Sequence, residues 1–280
     1  MTRGSCLCGE VRWQLEPPFE RMTHCHCSMC RKAHGAPFAT YITVAKRGFA
    51  WTAGEGGVTG YESSPGFHRA FCGRCGSVVP STESGDWVYV PAGGLDDDPG
   101  IRPTAHIFAP SKAPWHRIAD DLPRSETYTG GDTGPVIARP DRGAGKAGVL
   151  GGSCLCGGAV FEVTPPFSVV HNCHCTRCRK ARAAAHTTNG FVQAEDLLYL
   201  KGVELLVRFK VPEAERFSQT FCRVCGAGMP RADATSGSIA VPLASLDDDP
   251  GQGAEDHIFT AYKAPWYDFA DGIPQFPEGP

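Results

Sequence analysis

The 280-residue sequence lacks three features that would place it in large classes of proteins. It has no run of lysine and arginine, and its formal net charge is −3, so we expect no nucleic-acid partner. It has no stretch approaching the roughly 18 apolar residues that span a bilayer, so we expect no membrane partner. The segment from Met1 to Cys8 lacks the apolar core of a signal peptide, which predicts a cytoplasmic protein.

Helical periodicity is also scarce. No window longer than about ten residues keeps an apolar stripe at helical spacing. Alternation of apolar and polar residues is more frequent, as at Val11, Trp13 and Leu15. The sequence therefore predicts a mainly β fold, with helix limited to short turns such as those after Cys27 and Cys175.

Cysteine, by contrast, is abundant, and its 14 residues form two sets of seven. The first set is Cys6, Cys8, Cys25, Cys27, Cys30, Cys72 and Cys75. The second set is Cys154, Cys156, Cys173, Cys175, Cys178, Cys222 and Cys225. Five positions shift by 148 residues and the last two by 150, which indicates the duplication of a whole domain.

A stretch rich in glycine and proline separates the two copies. We predict a first domain over residues 1–127, a linker over 128–149 and a second domain over 150–280. A domain of this size buries only about two thirds of the surface of its unfolded chain, so bound metal would add usefully to its core.

Metal binding accounts for the cysteines better than disulfides do. Seven thiols per copy cannot all pair with one another, C-x-C neighbours are badly placed for an unstrained bridge, and a reducing cytosol keeps thiols free. The C-x2-C pairs followed by glycine, Cys72–Gly76 and Cys222–Gly226, are typical of zinc knuckles. Seven ligands divide into four, which close a structural zinc site, and three, which leave a position for water or substrate. The spacing alone leaves open whether His24, His26, His106 or an aspartate completes the smaller site.

The cysteines lie within longer motifs. In the first copy these are Gly4–Gly9, His24–Lys32 with Gly35, Ser63 with Ser64, and Arg69–Ser77. In the second copy they are Gly152–Gly157, Asn172–Lys180 and Phe221–Gly226. These stretches resemble the glutathione-dependent formaldehyde-activating enzyme family, whose domain is shared with centromere protein V. The resemblance implies two tandem Mss4-like zinc-binding β domains. It also implies the condensation of formaldehyde with glutathione to S-hydroxymethylglutathione, which in the reverse direction is the reaction of a carbon-sulfur lyase.

The same resemblance implies about two zinc ions per domain and about four per chain. The structural sites would be Cys6, Cys8, Cys72 and Cys75, and Cys154, Cys156, Cys222 and Cys225. The three-thiolate sites would be Cys25, Cys27 and Cys30, and Cys173, Cys175 and Cys178.

We predict Cys25, Cys27 and Cys30 as the catalytic residues. Three thiolates with an open position would let zinc bind a small-molecule thiol such as glutathione and lower its pKa beside a carbonyl carbon. His26 and His174, which lie between ligands, could shuttle protons or simply form hydrogen bonds to the backbone. The alternative is a non-catalytic module in which zinc only staples a small binding domain, because one fold hosts unrelated functions.

Three neighbours of the smaller site are predicted to bind substrate. Arg31 and Lys32 could bind a carboxylate of the thiol or offset the charge of three thiolates. Gly35 would leave room for substrate or a neighbouring strand beside the metal. In the second copy Gly35, Arg69 and Ser77 correspond to Ala183, Gln219 and Ala227, and the stretch 63–65 has no clear counterpart. Because of these differences we expect the first copy to be the more active one.

Two other repeated motifs are expected to be structural. The runs Asp96–Gly100 and Asp247–Gly251 have the composition of turns. Trp115 and Trp266 are expected to pack in or at the rim of a core.

Overall fold

The computed structural model describes residues 1–129, 148–233 and 237–279. Strands dominate both copies and each copy contains one short α-helix, which confirms the mainly β prediction. Most of the predicted linker, residues 130–147, lies outside the described residues. In the part of the chain that is described, no helix combines the length and apolarity required to cross a membrane.

The first copy contains eleven strands and one helix in its described residues. They are β1 (Thr2–Ser5), β2 (Arg12–Leu15), β3 (Phe19–Cys25), α1 (Ser28–His34), β4 (Ala39–Ala45), β5 (Phe49–Ala53), β6 (Val58–Ser64), β7 (Phe67–Cys72), β8 (Val78–Val79), β9 (Ser81–Ser84), β10 (Trp87–Pro91) and β11 (His106–Ile107).

The second copy follows the same order. Its elements are β12 (Leu150–Ser153), β13 (Val160–Val163), β14 (Val170–Cys173), α2 (Thr176–Arg182), β15 (Thr187–Gln193), β16 (Leu197–Lys201), β17 (Leu206–Lys210), β18 (Ser218–Cys222), β19 (Gly228–Met229), β20 (Ser238–Pro242) and β21 (Asp256–Ile258). The two helices are the short ones that the sequence predicts after Cys27 and Cys175.

Each copy folds into two small antiparallel sheets and one larger sheet. In the first copy the strand orders are β1-β2-β5, β6-β7-β8 and β11-β3-β4-β10-β9. In the second copy they are β12-β13-β16, β17-β18-β19 and β20-β15-β14-β21. The last strand of each copy, β11 or β21, runs parallel to its neighbour β3 or β14.

Burial follows the alternation seen in the sequence. In β2, Trp13 and Leu15 are buried whereas Arg12 is exposed, and β13 buries Phe161 and Val163 in the same way. This pattern fixes the strand register, because a shift by one residue would expose the apolar side chains.

The helix of the first copy is anchored to the second copy by Lys32. Its ammonium group donates hydrogen bonds to the backbone oxygens of Ser153 and Ser245, at 2.7 and 3.0 Å. It also pairs with the Asp247 carboxylate at 2.8 Å, and the lysine side chain is only 6% exposed. An ammonium has three N–H donors, so in this structure the donors of Lys32, which the sequence predicts to bind substrate, are engaged by the second copy.

Lys180, its counterpart on α2, makes the reciprocal contacts. It donates to the backbone oxygens of Ser5 and Gly94, at 3.1 and 2.8 Å, and pairs with Asp96. Each contact between the copies is thus matched by an equivalent contact in the opposite direction. Such reciprocal contacts define an isologous interface.

The two aspartates that pair with these lysines begin the predicted turns. The turns themselves are present, since the Gly100 N–H donates to the Asp98 carboxylate at 2.9 Å and the Gly251 N–H to Asp249 at 3.0 Å. The role of Asp96 and Asp247 as lysine partners was not predicted.

The two zinc-knuckle turns also meet at this interface. Gly76 and Gly226 have φ values of 72° and 71°, a left-handed conformation that glycine adopts most readily. A Cβ atom on Gly76 would lie 2.3 Å from the Phe221 ring, and one on Gly226 would lie 2.6 Å from the Phe71 ring. Each glycine therefore permits both its own turn and the approach of the other copy.

Each hydrophobic core includes side chains from the opposite copy. Ala264 and Trp266 lie in the core of the first copy, and Trp266 is only 2% exposed. Trp115 packs in the equivalent manner against the core of the second copy. The core packing predicted for both tryptophans is confirmed, and the two copies complete each other's cores.

We expect Lys32→Met to lower the free energy of unfolding by about 3 kcal/mol, because it removes a buried cation that pairs with Asp247 and donates to two backbone oxygens of the other copy. Urea denaturation measures the change. The control is Lys46→Met, an exposed lysine that should change stability by less than about 0.5 kcal/mol. Equal effects of the two variants would show that Lys32 does not hold the copies together.

Candidate functional site

Each copy brings together four cysteines that are distant in the sequence. Cys6 and Cys8 follow β1, Cys72 ends β7, and Cys75 lies in the turn before β8. Their four Sγ atoms lie within 4.8 Å of one another. The Sγ atoms of Cys6 and Cys8 are 3.4 Å apart, and those of Cys8 and Cys72 are 3.8 Å apart. The second copy assembles Cys154, Cys156, Cys222 and Cys225 in the same way.

The geometry of these sulfur atoms fits a tetrahedral metal ion. Zinc-sulfur bonds of about 2.3 Å in a tetrahedron place the sulfur atoms about 3.8 Å apart. All the cysteines are free thiols, and the Val11 N–H donates to the Cys6 sulfur at 3.3 Å, a bond that favours the thiolate. Both four-cysteine sets could therefore hold zinc, and four sulfur ligands leave no position for a substrate.

The smaller set is built by the end of a strand and the start of a helix. Cys25 ends β3, and Cys27 caps α1 by accepting a hydrogen bond from the Cys30 N–H at 3.3 Å. The three sulfur atoms of this set lie within 4.8 Å of one another. The second copy repeats the arrangement with Cys173, Cys175 and Cys178.

No histidine or carboxylate of the described residues joins either three-cysteine set. The alternatives that the spacing left open for a fourth ligand are therefore not observed. Hydrogen bonds from Cys173 and Cys178 lower the pKa of Cys175 to about 3, so this sulfur is available as the thiolate that a metal requires. A zinc ion bound by three thiolates would keep one coordination position for an exogenous ligand.

The histidine between the first two ligands of each triad belongs to a buried chain of side chains. His26 Nε2 lies 2.8 Å from His106 Nδ1, and His106 Nε2 lies 2.9 Å from the Asp120 carboxylate. The second copy repeats the chain with His174, His257 and Asp271. Burial, followed by the charge of His106, lowers the pKa of His26 to about 3, so this imidazole is neutral at pH 7. The only signal of the aspartates in the sequence is that they recur in both copies.

In the first copy, an arginine that was not predicted as a site residue contacts the triad. Arg69 on β7 is 7% exposed, and its two terminal nitrogens lie 3.6 and 3.5 Å from the Cys30 sulfur. Its Nε atom donates to Ser63 Oγ at 3.0 Å. The guanidinium offsets the net charge of −1 that zinc would carry with three thiolates.

The triad of the second copy has different surroundings. Gln219 replaces Arg69, and its amide donates to the backbone oxygen of Cys75 at 3.0 Å. The three cysteines of this copy line a cavity of about 1310 Å³. Cys178 is partly exposed, whereas its counterpart Cys30 is only 5% exposed.

The predicted space beside Gly35 is filled by the other copy. Gly35 ends α1 in a left-handed conformation with φ 58°, and Ala183 ends α2 in the same way with φ 49°. A Cβ atom on Gly35 would lie 3.2 Å from the side chain of Arg182. The glycine thus accommodates a side chain of the second copy. Arg31, also predicted to bind substrate, is 7% exposed, and its charge helps to lower the pKa of His26.

We expect about four zinc ions per chain, since the described residues contain two four-cysteine and two three-cysteine sets. Elemental analysis of gently purified protein measures this number. A value of two or fewer would mean that the three-cysteine sets do not retain zinc.

The two kinds of site should respond differently to mutation. Cys72→Ser should cause aggregation or reduce stability by about 4 kcal/mol or more, because Cys72 is 1% exposed, lies in the hydrophobic core and would support a structural metal. Cys27→Ser, a matched change at the partly exposed edge of the smaller set, should leave the fold largely intact. Thermal denaturation compares them, and equal destabilisation would contradict the division into structural and exchangeable sites.

The chain resembles a protein of known structure and matches the model of a protein family. The chain is similar to a Rhodobacter sphaeroides protein of known crystal structure at 24% sequence identity, with a TM-score of 0.30, over 36% of this chain and 91% of that one. Comparison with curated proteins gives no match. The family model described as glutathione-dependent formaldehyde-activating enzyme matches residues 1–111 and 149–262, once in each copy. The chain therefore belongs to the glutathione-dependent formaldehyde-activating enzyme family, as a tandem duplication of its domain.

Proposed function

We propose that the chain is a zinc-dependent catalyst that forms or breaks a carbon-sulfur bond in adducts of a small thiol such as glutathione. The observation that carries the proposal is the division of each copy into four and three clustered cysteines, the second of which lacks a fourth protein ligand among the described residues. Membership of the family supports the same class of reaction.

A bound zinc ion would lower the pKa of the thiol and hold its sulfur close to an electrophilic carbon. Cys25, Cys27 and Cys30, or their counterparts in the second copy, would hold that ion and leave its fourth position to the thiol. In the direction of synthesis, the sulfur bonds to the carbonyl carbon of formaldehyde and the carbonyl π bond breaks. The thiol proton ends on the new hydroxyl oxygen.

The surroundings of each triad support specific contributions from the protein. Arg69 stabilises the electron-rich sulfur of Cys30 through two N–H groups. The chain formed by Asp120, His106 and His26 fixes the segment between Cys25 and Cys27 through buried hydrogen bonds. Such positioning shells keep metal ligands oriented.

A second candidate function, a non-catalytic zinc module, is favoured by one observation in the first copy. Cys30 is 5% exposed and in contact with a buried guanidinium, so this triad is less open than its counterpart. A chain with a structural triad in the first copy and a catalytic triad in the second would fit both the closed first triad and the more open second triad.

We expect the zinc-loaded chain to accelerate the exchange between free formaldehyde and S-hydroxymethylglutathione. Exchange NMR measures this rate directly. The double variant Cys27→Ser with Cys175→Ser should return the exchange to the uncatalysed rate, because each triad loses one of its three ligands. The matched control is the exposed variant Lys46→Met, which should keep the full rate.

An exchange rate that is the same with wild type, with the double variant and without protein would exclude catalysis of this reaction. Glutathione titration of the cobalt-substituted chain then decides whether thiol binds at all. An unchanged visible spectrum would favour the non-catalytic module.

A further inference from the structure

The two triads obtain their buried cation from different elements. In the first copy the cation is Arg69 on β7, and α1 carries His34. In the second copy the position of Arg69 is occupied by Gln219, and the position of His34 by Arg182 on α2. The first copy therefore has a buried arginine on a strand that the second copy lacks, and the second copy has one on its helix where the first has His34.

The second copy is shaped around Arg182. A Cβ atom on Gly228 would lie 1.2 Å from one terminal nitrogen of Arg182, so the side chain crosses that glycine. The first copy has Val78 at the position equivalent to Gly228 in the paired strands. A valine there would exclude the arginine, so Arg182 and Gly228 form a matched pair.

Arg182 lines a cavity, and its guanidinium has no hydrogen-bond acceptor among the described residues. The residue is 9% exposed and lines the 1310 Å³ cavity together with Cys173, Cys175 and Cys178. Within residues 1–129, 148–233 and 237–279, its guanidinium makes no hydrogen bond. By contrast, the Arg69 guanidinium already contacts Cys30 and Ser63. The Arg182 guanidinium therefore has N–H donors available to a ligand in the cavity, and a carboxylate is the acceptor that matches a guanidinium best.

Most of the other charged side chains that line the cavity are also cationic. Besides Arg182, its lining includes five cationic side chains and two carboxylates, Glu215 and Glu278. The five cations are Arg177, Arg208, Lys210, Arg216 and Arg231. Arg208 is paired with Asp233 and Arg216 with Glu215, which leaves Arg177, Lys210 and Arg231 to set the positive potential.

These cations are not a requirement of the scaffold. The positions equivalent to Arg177, Arg208 and Lys210 in the first copy are Met29, Gly60 and Glu62. The first copy forms the same sheets and the same triad without them. The second copy has therefore acquired a lining that attracts anions.

We propose that the cavity over Cys173, Cys175 and Cys178 is the ligand site of this chain, and that it binds an anionic thiol with a carboxylate on Arg182. The proposal rests on the proposed function for the sulfur end of the ligand. The assignment of the ligand's carboxylate end depends only on Arg182 and on the cationic lining of the cavity. It places the ligand in the second copy, whereas the sequence favoured the triad of Cys25, Cys27 and Cys30.

The test uses the full zinc-loaded chain and isothermal titration with three probes. Glutathione has the thiol and two carboxylates, its dimethyl ester lacks the free carboxylates, and S-methylglutathione lacks the free thiol. We expect the ester to bind roughly tenfold or more weakly than glutathione, the range of a charge-assisted hydrogen bond. Arg182→Met should weaken glutathione to a similar extent and leave the ester within about twofold.

Further variants locate the site and protect the test against misfolding. Cys175→Ser should remove the advantage of glutathione over S-methylglutathione, whereas Cys27→Ser should retain it. The double variant Arg177→Met with Lys210→Met changes only the cavity rim and should weaken glutathione several-fold, with a smaller salt dependence. Arg47→Met, an exposed arginine of the first copy, is the matched control and should bind like wild type.

The outcomes separate this inference from the proposed function. If glutathione and S-methylglutathione bind equally and Arg182→Met weakens both, the carboxylate site stands and the thiol function fails. If glutathione binds better than S-methylglutathione but neither esterification nor Arg182→Met has an effect, the inference is wrong and the function stands. Loss of the thiol advantage in Cys27→Ser alone would place the site in the first copy and overturn the inference. Absence of binding by all three probes would overturn both.

Discussion

The three-cysteine sets depend on seven-residue helices that the opposite copy holds in place. A helix of two turns is unstable alone, so its position has to come from tertiary contacts. On α1, Cys30 belongs to the triad and Lys32, two residues later, is anchored to Ser153, Ser245 and Asp247 of the other copy. The geometry of each three-cysteine set is therefore coupled to the interface between the copies.

This arrangement explains how the two copies could diverge without losing the fold. Each copy contributes an anchoring lysine, a glycine turn and core side chains to the other copy, so the contacts between them are reciprocal. The lining of the triads has no such constraint. Arg69 and His34 of the first copy are exchanged for Gln219 and Arg182 in the second, and Arg182 lines the cavity over the second triad. Site chemistry is thus grafted on a conserved scaffold.

The sequence predicted those features that are fixed by local pattern. Cysteine spacing and family resemblance indicated all four clusters, and alternation indicated the strands. Contacts between the copies were not predictable, because no local pattern shows that Lys32 meets Asp247, 215 positions away in a reciprocal interface. For the same reason Gly35 was interpreted as space for substrate or a neighbouring strand, whereas the side chain of Arg182 from the other copy lies against it. The only hint of these contacts in the sequence was that the Arg-Lys motif and the Asp-Asp-Asp motif both recur in the two copies.

Zinc X-ray absorption tests the central claim, that each copy offers one closed and one open thiolate site, most directly. Two sets of four and two sets of three sulfur atoms predict a mean of 3.5 sulfur neighbours per zinc, with a lighter atom completing the shell of the open sites. Addition of glutathione should raise this mean towards 4. A mean of 4 sulfur neighbours before any thiol is added, or a mean that glutathione leaves unchanged, would contradict the account.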